Sequence, residues 1–359
     1  MIIGRNSEGY VTLTGTKHGD LTLLSYDIMP NNYHDMCEME KDNRIKVRLD
    51  NVISDKIPEP FRVELDITND SSHDSFLVVS GGWLPCTFLK RRTILLTDRN
   101  VISRIQSRYH LNKKKKNENL DYFDSMFLTP TEMLLDVSPY VLEGNERKIP
   151  SSAQIINHLE EVTKLLKKAL PEVSIAEYPP RENYYIALAE CHRDIHKKRI
   201  DFFLSVASCL NRNFTNDSRK ECIPEIFEAA DAIGLPRSDI AVILAFLRIN
   251  MVGIKTPPNR VIKDSQNYTL EDAYNAACDL MAIDILMSLQ KFHNDKNTNF
   301  NIAFVTQDKN LAKVAALFCN SEFVKTDGET ITQSCSFPLD IFADDEQAND
   351  MIKSYLSNN

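Results

Sequence analysis

The sequence predicts an α/β fold with a central, mostly parallel sheet, a helical insertion and a small β-rich domain at the N-terminus. Three observations carry this. The segment Ile94-Leu-Leu-Thr-Asp98-Arg-Asn100-Val-Ile is an apolar run that stops on an aspartate, as a buried strand does when it delivers a carboxylate to its C-terminal end. The segment Ile302-Ala-Phe-Val-Thr-Gln-Asp308-Lys-Asn-Leu repeats that design far downstream. Between them strand and helix patterns alternate, and a long helical stretch interrupts the alternation.

Residues 1–88 are expected to form the β-rich module. Tyr10-Val-Thr-Leu-Thr, Leu21-Thr-Leu-Leu, Ile45-Lys-Val-Arg-Leu, Phe61-Arg-Val-Glu-Leu-Asp-Ile and Phe76-Leu-Val-Val are short runs separated by turn residues, and Gly81-Gly82-Trp83-Leu-Pro85 closes the series. The α/β domain is expected over 89–330. Thr93–Thr97 reads as a strand, and Asp98–Tyr109 as a helix with Val101, Ile102 and Ile105 on one side. Met126-Phe-Leu reads as a short strand, and Pro130 as the start of a helix carrying Met133, Leu134 and Leu135. The helical insertion occupies about 145–260, with Ser152–Leu170, Glu182–Leu210, Ile223–Ile233 and Ser238–Asn250 as its helices. Alternation resumes with the helix Leu270–Leu289, the strand Ile302–Thr306, the helix Asn310–Phe318 and a short strand from Glu322. Residues 331–359 read as a C-terminal tail.

Bulk properties set limits on function. At 359 residues the chain exceeds one ordinary domain. A hydrophobic content of 43% and only 10 glycines favour a helix-rich globular body. The net charge of −9 argues against a surface given over to nucleic acid, yet leaves room for a local basic track. The eight cysteines show neither zinc-site spacing nor histidine partners, and Cys209, Cys278 and Cys319 lie in apolar runs as core residues do. That is the cysteine usage of a reducing compartment. The first residues lack the basic and apolar regions of a signal peptide, and no apolar run approaches the roughly 18 residues that span a bilayer. A soluble, cytoplasmic protein with no membrane partner is expected.

Two strand-end aspartates without a thiol or histidine set point to a hard divalent cation and phosphodiester chemistry. Leu-Thr-Asp98-Arg-Asn100-Val-Ile resembles the first motif of PIN-domain nucleases, a strand ending in Asp-x-Asn followed by apolar residues. Phe304-Val-Thr306-Gln-Asp308-Lys-Asn-Leu311 resembles their last motif, a strand ending in Thr-x-Asp before a short helix. Pro130-Thr-Glu-Met-Leu-Leu-Asp136 is similar to the second motif, a Pro-led helix carrying an acid. The family usually has Glu at that place, so Glu132 and Glu143 stay open beside Asp136. The third family acid lies on the helix before the last strand, where Asp279 and Asp284 are candidates. Five residues place these two about 140° apart on a helix, so one site cannot take both; a lone charge at 284 among Ile283, Ile285 and Leu286 would need a partner.

The resemblance implies a PIN-like core in which Asp98, Asp136, Asp279 and Asp308 hold Mg²⁺ or Mn²⁺ and act as the catalytic acids. Asn100 would orient Asp98 or bind phosphate, and Thr306 would hydrogen-bond a carboxylate or the scissile phosphate. Crowded carboxylates without metal should show raised pKa values. Lys113, Lys114 and Lys115, following Arg104, Arg108 and His110, offer a track for the phosphate backbone. The expected function is metal-dependent hydrolysis of RNA or single-stranded nucleic acid, in RNA processing, a toxin or a defence system. A protein partner or a second copy of the chain is open.

Each reading has a structural competitor. Asp98 and Asp308 could be helix N-caps after strands, Asp136 a surface charge, Asp279 a buried hydrogen-bonded acid. The lysine run could be a solvated loop, and His196-Lys-Lys-Arg199 a solvated helix face. His192 and His196, four apart, lack the Glu of a zinc helix, and the phosphatase pattern Asp-x-Asp fails because position 100 is Asn. The rival function is a PIN-like scaffold without catalysis, working as a binding subunit.

Overall fold

The computed structural model describes the chain apart from residues 1, 43, 69–74, 117–120, 129–131, 145, 180–181, 211–215, 252–256, 264–266, 319–320, 327–329 and 336–359. The described chain divides into two compact units. One comprises residues 1–141, 157–178 and 285–335, the other 142–156 and 179–284.

In the first unit, β1 (Ile2–Arg5), β2 (Val11–Thr16), β3 (Gly19–Met29), β4 (Arg44–Ser54) and β5 (Phe61–Thr68) form an antiparallel meander in chain order, with α1 (Tyr33–Asp42) between β3 and β4. Period-two patterning chooses the inner face. Val11 and Leu13, Leu21 and Leu23, Ile45, Val47 and Leu49, and Leu65 are buried, and α1 adds Met36 and Met39.

The second sheet has the order β12-β11-β8-β13-β6-β7, from β6 (Phe76–Val79), β7 (Gly82–Pro85), β8 (Thr93–Thr97), β11 (Leu134–Asp136), β12 (Ser174–Ile175) and β13 (Asn301–Thr306). β12, β11, β8 and β13 are parallel, and the β6–β7 hairpin joins antiparallel at β13. The fold is therefore mixed α/β with a mostly parallel sheet. Phe76-Leu-Val-Val, expected in the N-terminal module, belongs to this second sheet. Phe76, Leu77 and Val78 are all buried, so both faces of the strand are covered and a continuous apolar run suits it better than alternation would.

The hairpin is tied to the segment that follows β3. Asn31 and Trp83 exchange both backbone hydrogen bonds at 2.9 Å, and the Trp83 indole N–H donates to the Asn32 carbonyl at 3.0 Å. The approach is so close that a Cβ on Gly82, at φ +148°, would lie 2.0 Å from the Asn31 carbonyl oxygen.

Between β8 and β11 run α2 (Arg99–Arg108), the two-residue strands β9 (Tyr109–His110) and β10 (Lys113–Lys114), and α3 (Tyr122–Leu128). Met126-Phe-Leu is thus helical, not a strand. Asp121 and Asp124 cap that helix reciprocally, each side chain accepting the other's backbone N–H at 2.8–2.9 Å. Leu134 and Leu135 are not helical either; they pair in parallel with Ile94 and Leu95. Two leucines and an aspartate are too short a run for periodicity to separate strand from helix. Pro130, the expected helix start, lies outside the described residues. After β11 come α4 (Ser138–Glu143) and α5 (Ser152–Ala169), and after β13 come α11 (Lys309–Phe318) and the hairpin β14 (Ser321–Thr326) with β15 (Thr330–Cys335). Glu40 of α1 accepts ion pairs from Lys309 and Lys313 of α11, each at 2.8 Å. Burial works to raise the Glu40 carboxyl, but the two ammonium groups hold it below its ordinary value.

The second unit is helical: α6 (Glu182–Leu210), α7 (Asn216–Ile233), α8 (Ile240–Asn250), α9 (Pro257–Val261) and the first part of α10 (Leu270–Asp295). Arg199 is at its centre, only 4% exposed, with Nε and Nη2 on Asp239 at 3.0 Å and Nη1 on Asp284. Asp284 accordingly has the partner its apolar surroundings demand. His196, one turn earlier on the same face, is also buried, and burial pushes its pKa down to about 3. The expected solvated basic face of His196-Lys-Lys-Arg199 is corrected in part: i,i+3 spacing turns His196 and Arg199 inward and leaves Lys197 exposed. Cys319 lies outside the described residues. Cys209 and Cys278 are buried, as their apolar surroundings predict, and the Cys209 thiol donates to the Cys222 carbonyl at 3.8 Å. Among the described residues no helix is long and apolar enough to cross a membrane.

Because only glycine fits against Asn31, Gly82→Ala is expected to destabilise the protein by more than about 2 kcal/mol in urea denaturation. Gly15→Ala serves as the control, since it also has positive φ but no atom within 4 Å of its Cβ position.

Candidate functional site

β8 and β13 are adjacent and parallel, with Val305 opposite Thr97, so both chains leave the sheet at the same edge. After β8 the chain goes to β11 on one side, while β13 lies on the other. This is the switch point at which open α/β sheets leave a crevice beyond their strand ends. Asp98 and Asp308 are the residues that emerge there.

Their carboxylates are organised by helix starts and by one hydroxyl. Asp98 caps α2, its Oδ1 accepting the Val101 N–H at 2.8 Å. Its Oδ2 accepts from the Thr306 hydroxyl at 2.9 Å. The same Thr306 oxygen accepts the Asp308 backbone N–H at 3.1 Å. Asp308 in turn caps α11, its Oδ1 accepting from Asn310 and Leu311 at 2.8 and 3.0 Å. The capping role and the strand-end role therefore coexist in both residues. Thr306 is fully buried, Asp98 is 9% exposed, and Asp308 is exposed. Burial pushes the Asp98 pKa up to about 6, with the Asp308 charge adding to it and the Val101 N–H and Thr306 hydroxyl opposing it. A raised pKa was expected of crowded carboxylates; here desolvation is the larger cause.

The other expected acids are placed differently. Asp136 ends β11, next to β8, but it is fully buried and already satisfied: Oδ1 accepts the Ser138 N–H at 2.7 Å and Oδ2 the Tyr178 hydroxyl at 2.6 Å. Burial raises its pKa, against those two hydrogen bonds. It is neither on a helix nor a surface charge. Glu132 is excluded as its substitute, because it is exposed and paired with Arg91 at 3.3 Å and Arg92 at 2.6 Å, ahead of β8 at the amino edge of the sheet. Asp279 is half-buried on α10 in the second unit, to which Glu143 also belongs. Among the described residues no three His, Cys, Asp or Glu side chains come together closely enough to hold a metal ion. The four-carboxylate centre expected from the sequence is thus reduced, within the first unit, to the pair Asp98 and Asp308.

Beside the pair, helical spacing aligns Asn100, Ser103, Arg104, Ser107 and Arg108 along one face of α2. With Gln307 and Asp308 they line an open groove of about 710 Å³. Asn100 is exposed at its end nearest Asp98. The guanidiniums are steadied from below. Arg108 pairs with Asp124 at 2.5 Å and Asp121 at 2.6 Å, and Arg104 stacks 4.3 Å over the Phe123 ring. Burial works to raise the Asp124 carboxyl, but Arg108, the Asp121 amide, Tyr109 and Lys114 hold it well below its ordinary value. This explains the lysine run. Lys114 is committed to Asp124 at 3.1 Å, and the Lys115 ammonium donates to the Gln106 carbonyl at 2.5 Å, while Lys113 is exposed. The expected phosphate track of Lys113, Lys114 and Lys115 is therefore not a row of solvated cations. The sequence reading missed Asp124 and Tyr178; the Asp-x-x-Asp spacing of residues 121–124 was the available signal for the first, and none marked the second.

Compared with known proteins, the chain matches no family model, no curated protein and no solved structure at a significant level.

Folding raises the Asp98 pKa from 3.8 to about 6. Its contribution to stability is therefore complete below the unfolded value and is lost as pH rises through about 6. Asp98→Asn keeps a good N-cap without the charge. In the presence of a chelator, the stability of Asp98→Asn relative to wild type is expected to rise by up to about 3 kcal/mol between about pH 3.5 and pH 8. Thermal unfolding across that range measures it. Thr306→Val, which strips the hydroxyl from both acids, is expected to cost about 1–3 kcal/mol. It should also move the Asp98 titration midpoint, followed by carboxyl ¹³C shift, above the wild-type value.

Proposed function

We propose that the protein hydrolyses phosphodiester bonds of RNA or single-stranded nucleic acid with a divalent cation held at the carboxyl edge of the six-stranded sheet. The observation that carries this reading is the pairing of Asp98 and Asp308 at the ends of adjacent parallel strands, joined through the Thr306 hydroxyl. The donor set fits the ion. Mg²⁺ and Mn²⁺ take oxygen ligands, and Mg²⁺ keeps several waters, needing only one or two carboxylates when substrate phosphate supplies the rest. Asp98 and Asp308 would hold it, and a cation there would offset the desolvation that raises Asp98. When bound, the ion supplies an activated water and neutralises charge developing on the phosphate.

The chain's own groups supply position. Thr306 holds the Asp98 carboxylate and the Asp308 backbone N–H, and the α11 amides hold the Asp308 carboxylate. The α2 face presents the Asn100 amide, the Ser103 hydroxyl and the Arg104 guanidinium to a phosphodiester in the groove, as donors suited to phosphate oxygens. Asp136 acts as a buried post that locks the β11 end through Ser138 and Tyr178. RNA processing, a toxin or a defence system are the settings that the PIN-like motifs suggest.

A second reading is favoured by one observation. Asp136, the acid that PIN-like motifs place in the centre, is sequestered, which fits a nucleic-acid-binding subunit without catalysis. Mn²⁺- and Mg²⁺-dependent cleavage of several RNAs and single-stranded DNAs distinguishes the two. Asp98→Asn and Asp308→Asn are expected to lower the rate at least about 100-fold, while Asp136→Asn acts mainly through stability. Equal activity in wild type and Asp98→Asn would remove the proposed site. A wild type that binds single strands without cutting them would establish the second reading.

A further inference from the structure

Among the side chains that line the carboxyl-edge groove, Arg104 is held in a way that suits a flat partner. Its Cζ lies 4.3 Å over the Phe123 ring. Two of its in-plane donors are turned sideways, Nη1 to the Ser75 hydroxyl at 3.4 Å and Nη2 to the Asp121 carboxylate at 3.5 Å. A guanidinium tied at two edges and backed on one face by a ring has its plane fixed, and the opposite face is turned to the groove. The backing is rigid. Phe123 is buried, with its ring 4.8 Å from that of Phe127 and parallel to that of Tyr109 within 5°. Tyr109 is itself fixed, its hydroxyl donating to Asp124 at 2.8 Å. The rotamer entropy that an arginine loses on stacking is therefore already lost on folding. Ser103 and Ser107 flank Arg104 on the exposed side of α2, and both are too small to cover it. Arg108, Lys114 and Lys115 are engaged within the protein, so phosphate contacts alone give the groove little hold on a strand.

We propose that Arg104 is a stacking platform for the nucleobase beside the phosphodiester at Asp98 and Asp308, and that the groove selects strands whose bases are splayed outward. The proposal rests on the reading of this groove as a nucleic-acid site. Arg104 lies one helical turn, about 6 Å along α2, from Asn100, within reach of a base whose phosphate sits at the acids. Guanidinium planes stack unpaired bases, and every base offers a π face, so the platform confers strand selection with little sequence preference. A duplex keeps its bases stacked on one another and presents none. Stacking engages the face of the guanidinium, so it adds to donation from the edges and does not replace it.

The probe is a fluorescently labelled single strand of five adenylates, together with a set in which each position in turn lacks its base. Binding to the full chain is followed by anisotropy with Ca²⁺ in place of Mg²⁺, which reads affinity apart from cleavage. Removing the base at one position is expected to weaken binding to wild type at least about fivefold. Arg104→Lys keeps the charge and loses the plane. It should weaken the intact strand by a similar factor and leave the strand abasic at that position within about twofold, a coupling that a merely structural role would not produce. The abasic series on wild type tests the platform even if the variant does not fold. Base removal without effect at every position would overturn the platform, whether or not the protein cleaves. Equal weakening of intact and abasic strands by Arg104→Lys would do the same. Base-dependent binding without cleavage would sustain the platform and remove only the hydrolytic reading. A wild type that binds no strand at about 100 μM would overturn both.

Discussion

The parallel pairing of β8 with β13 is the constraint on which the first unit depends. Thr306 and Asp98 are 208 positions apart in the chain, yet they share a hydrogen bond of 2.9 Å. Closing so long a loop carries an entropic cost that grows only slowly with length, so the intervening helices can be accommodated without a proportional loss of stability. The reward is local and dense. Leu95, Leu96, Phe304 and Val305 are fully or almost fully buried in neighbouring strands, and their continuous apolar character excludes any position but the middle of a covered sheet.

From that pairing the geometry of the acids follows. A parallel pair leaves the sheet at one edge, so two aspartates placed just beyond their strands must meet. Each then starts a helix, and its carboxylate is spent partly on capping. Thr306 reconciles the two, donating to Asp98 and accepting from Asp308. The cost remains visible in Asp98, whose burial beside another acid raises its pKa to about 6. Strain of this kind at a strand end, next to a groove with guanidinium and hydroxyl groups, is a common accompaniment of function, although ion-pair networks also perturb acids. The same unit contains such a network at Arg108, Asp121 and Asp124, where charge is absorbed structurally and removed from any ligand track.

Buried charge is handled by one rule in both units. Asp284 was recognisable from its apolar neighbours as a group in need of a partner, and Arg199 supplies it together with Asp239. Asp136 is satisfied by a backbone N–H and a tyrosine hydroxyl. In each case the acid's neighbours in sequence are apolar, while its partner is distant: Tyr178 lies 42 positions from Asp136, and Arg199 lies 85 from Asp284.

Local chemistry was enough to determine several features from the sequence alone. These include the long helices Glu182–Leu210 and Leu270–Leu289 (which the structure extends to Asp295), the strands Thr93–Thr97 and Ile302–Thr306, and the emergence of Asp98 and Asp308 at their ends. Each is written in the periodicity or the abrupt polarity change of contiguous residues. Short segments were not determined. Leu134–Asp136 and Tyr122–Leu128 exchange the states their composition suggests, because three to seven residues hold too little pattern to outweigh a parallel neighbour or a reciprocal aspartate cap. Nor could the sequence assign Phe76–Val79 to its sheet, since a strand's partner is chosen by what covers its two faces. The fate of the candidate ligands was decided in tertiary structure for the same reason. Whether an aspartate faces a groove, like Asp308, or a tyrosine hydroxyl, like Asp136, depends on groups that only the folded chain brings within 3 Å.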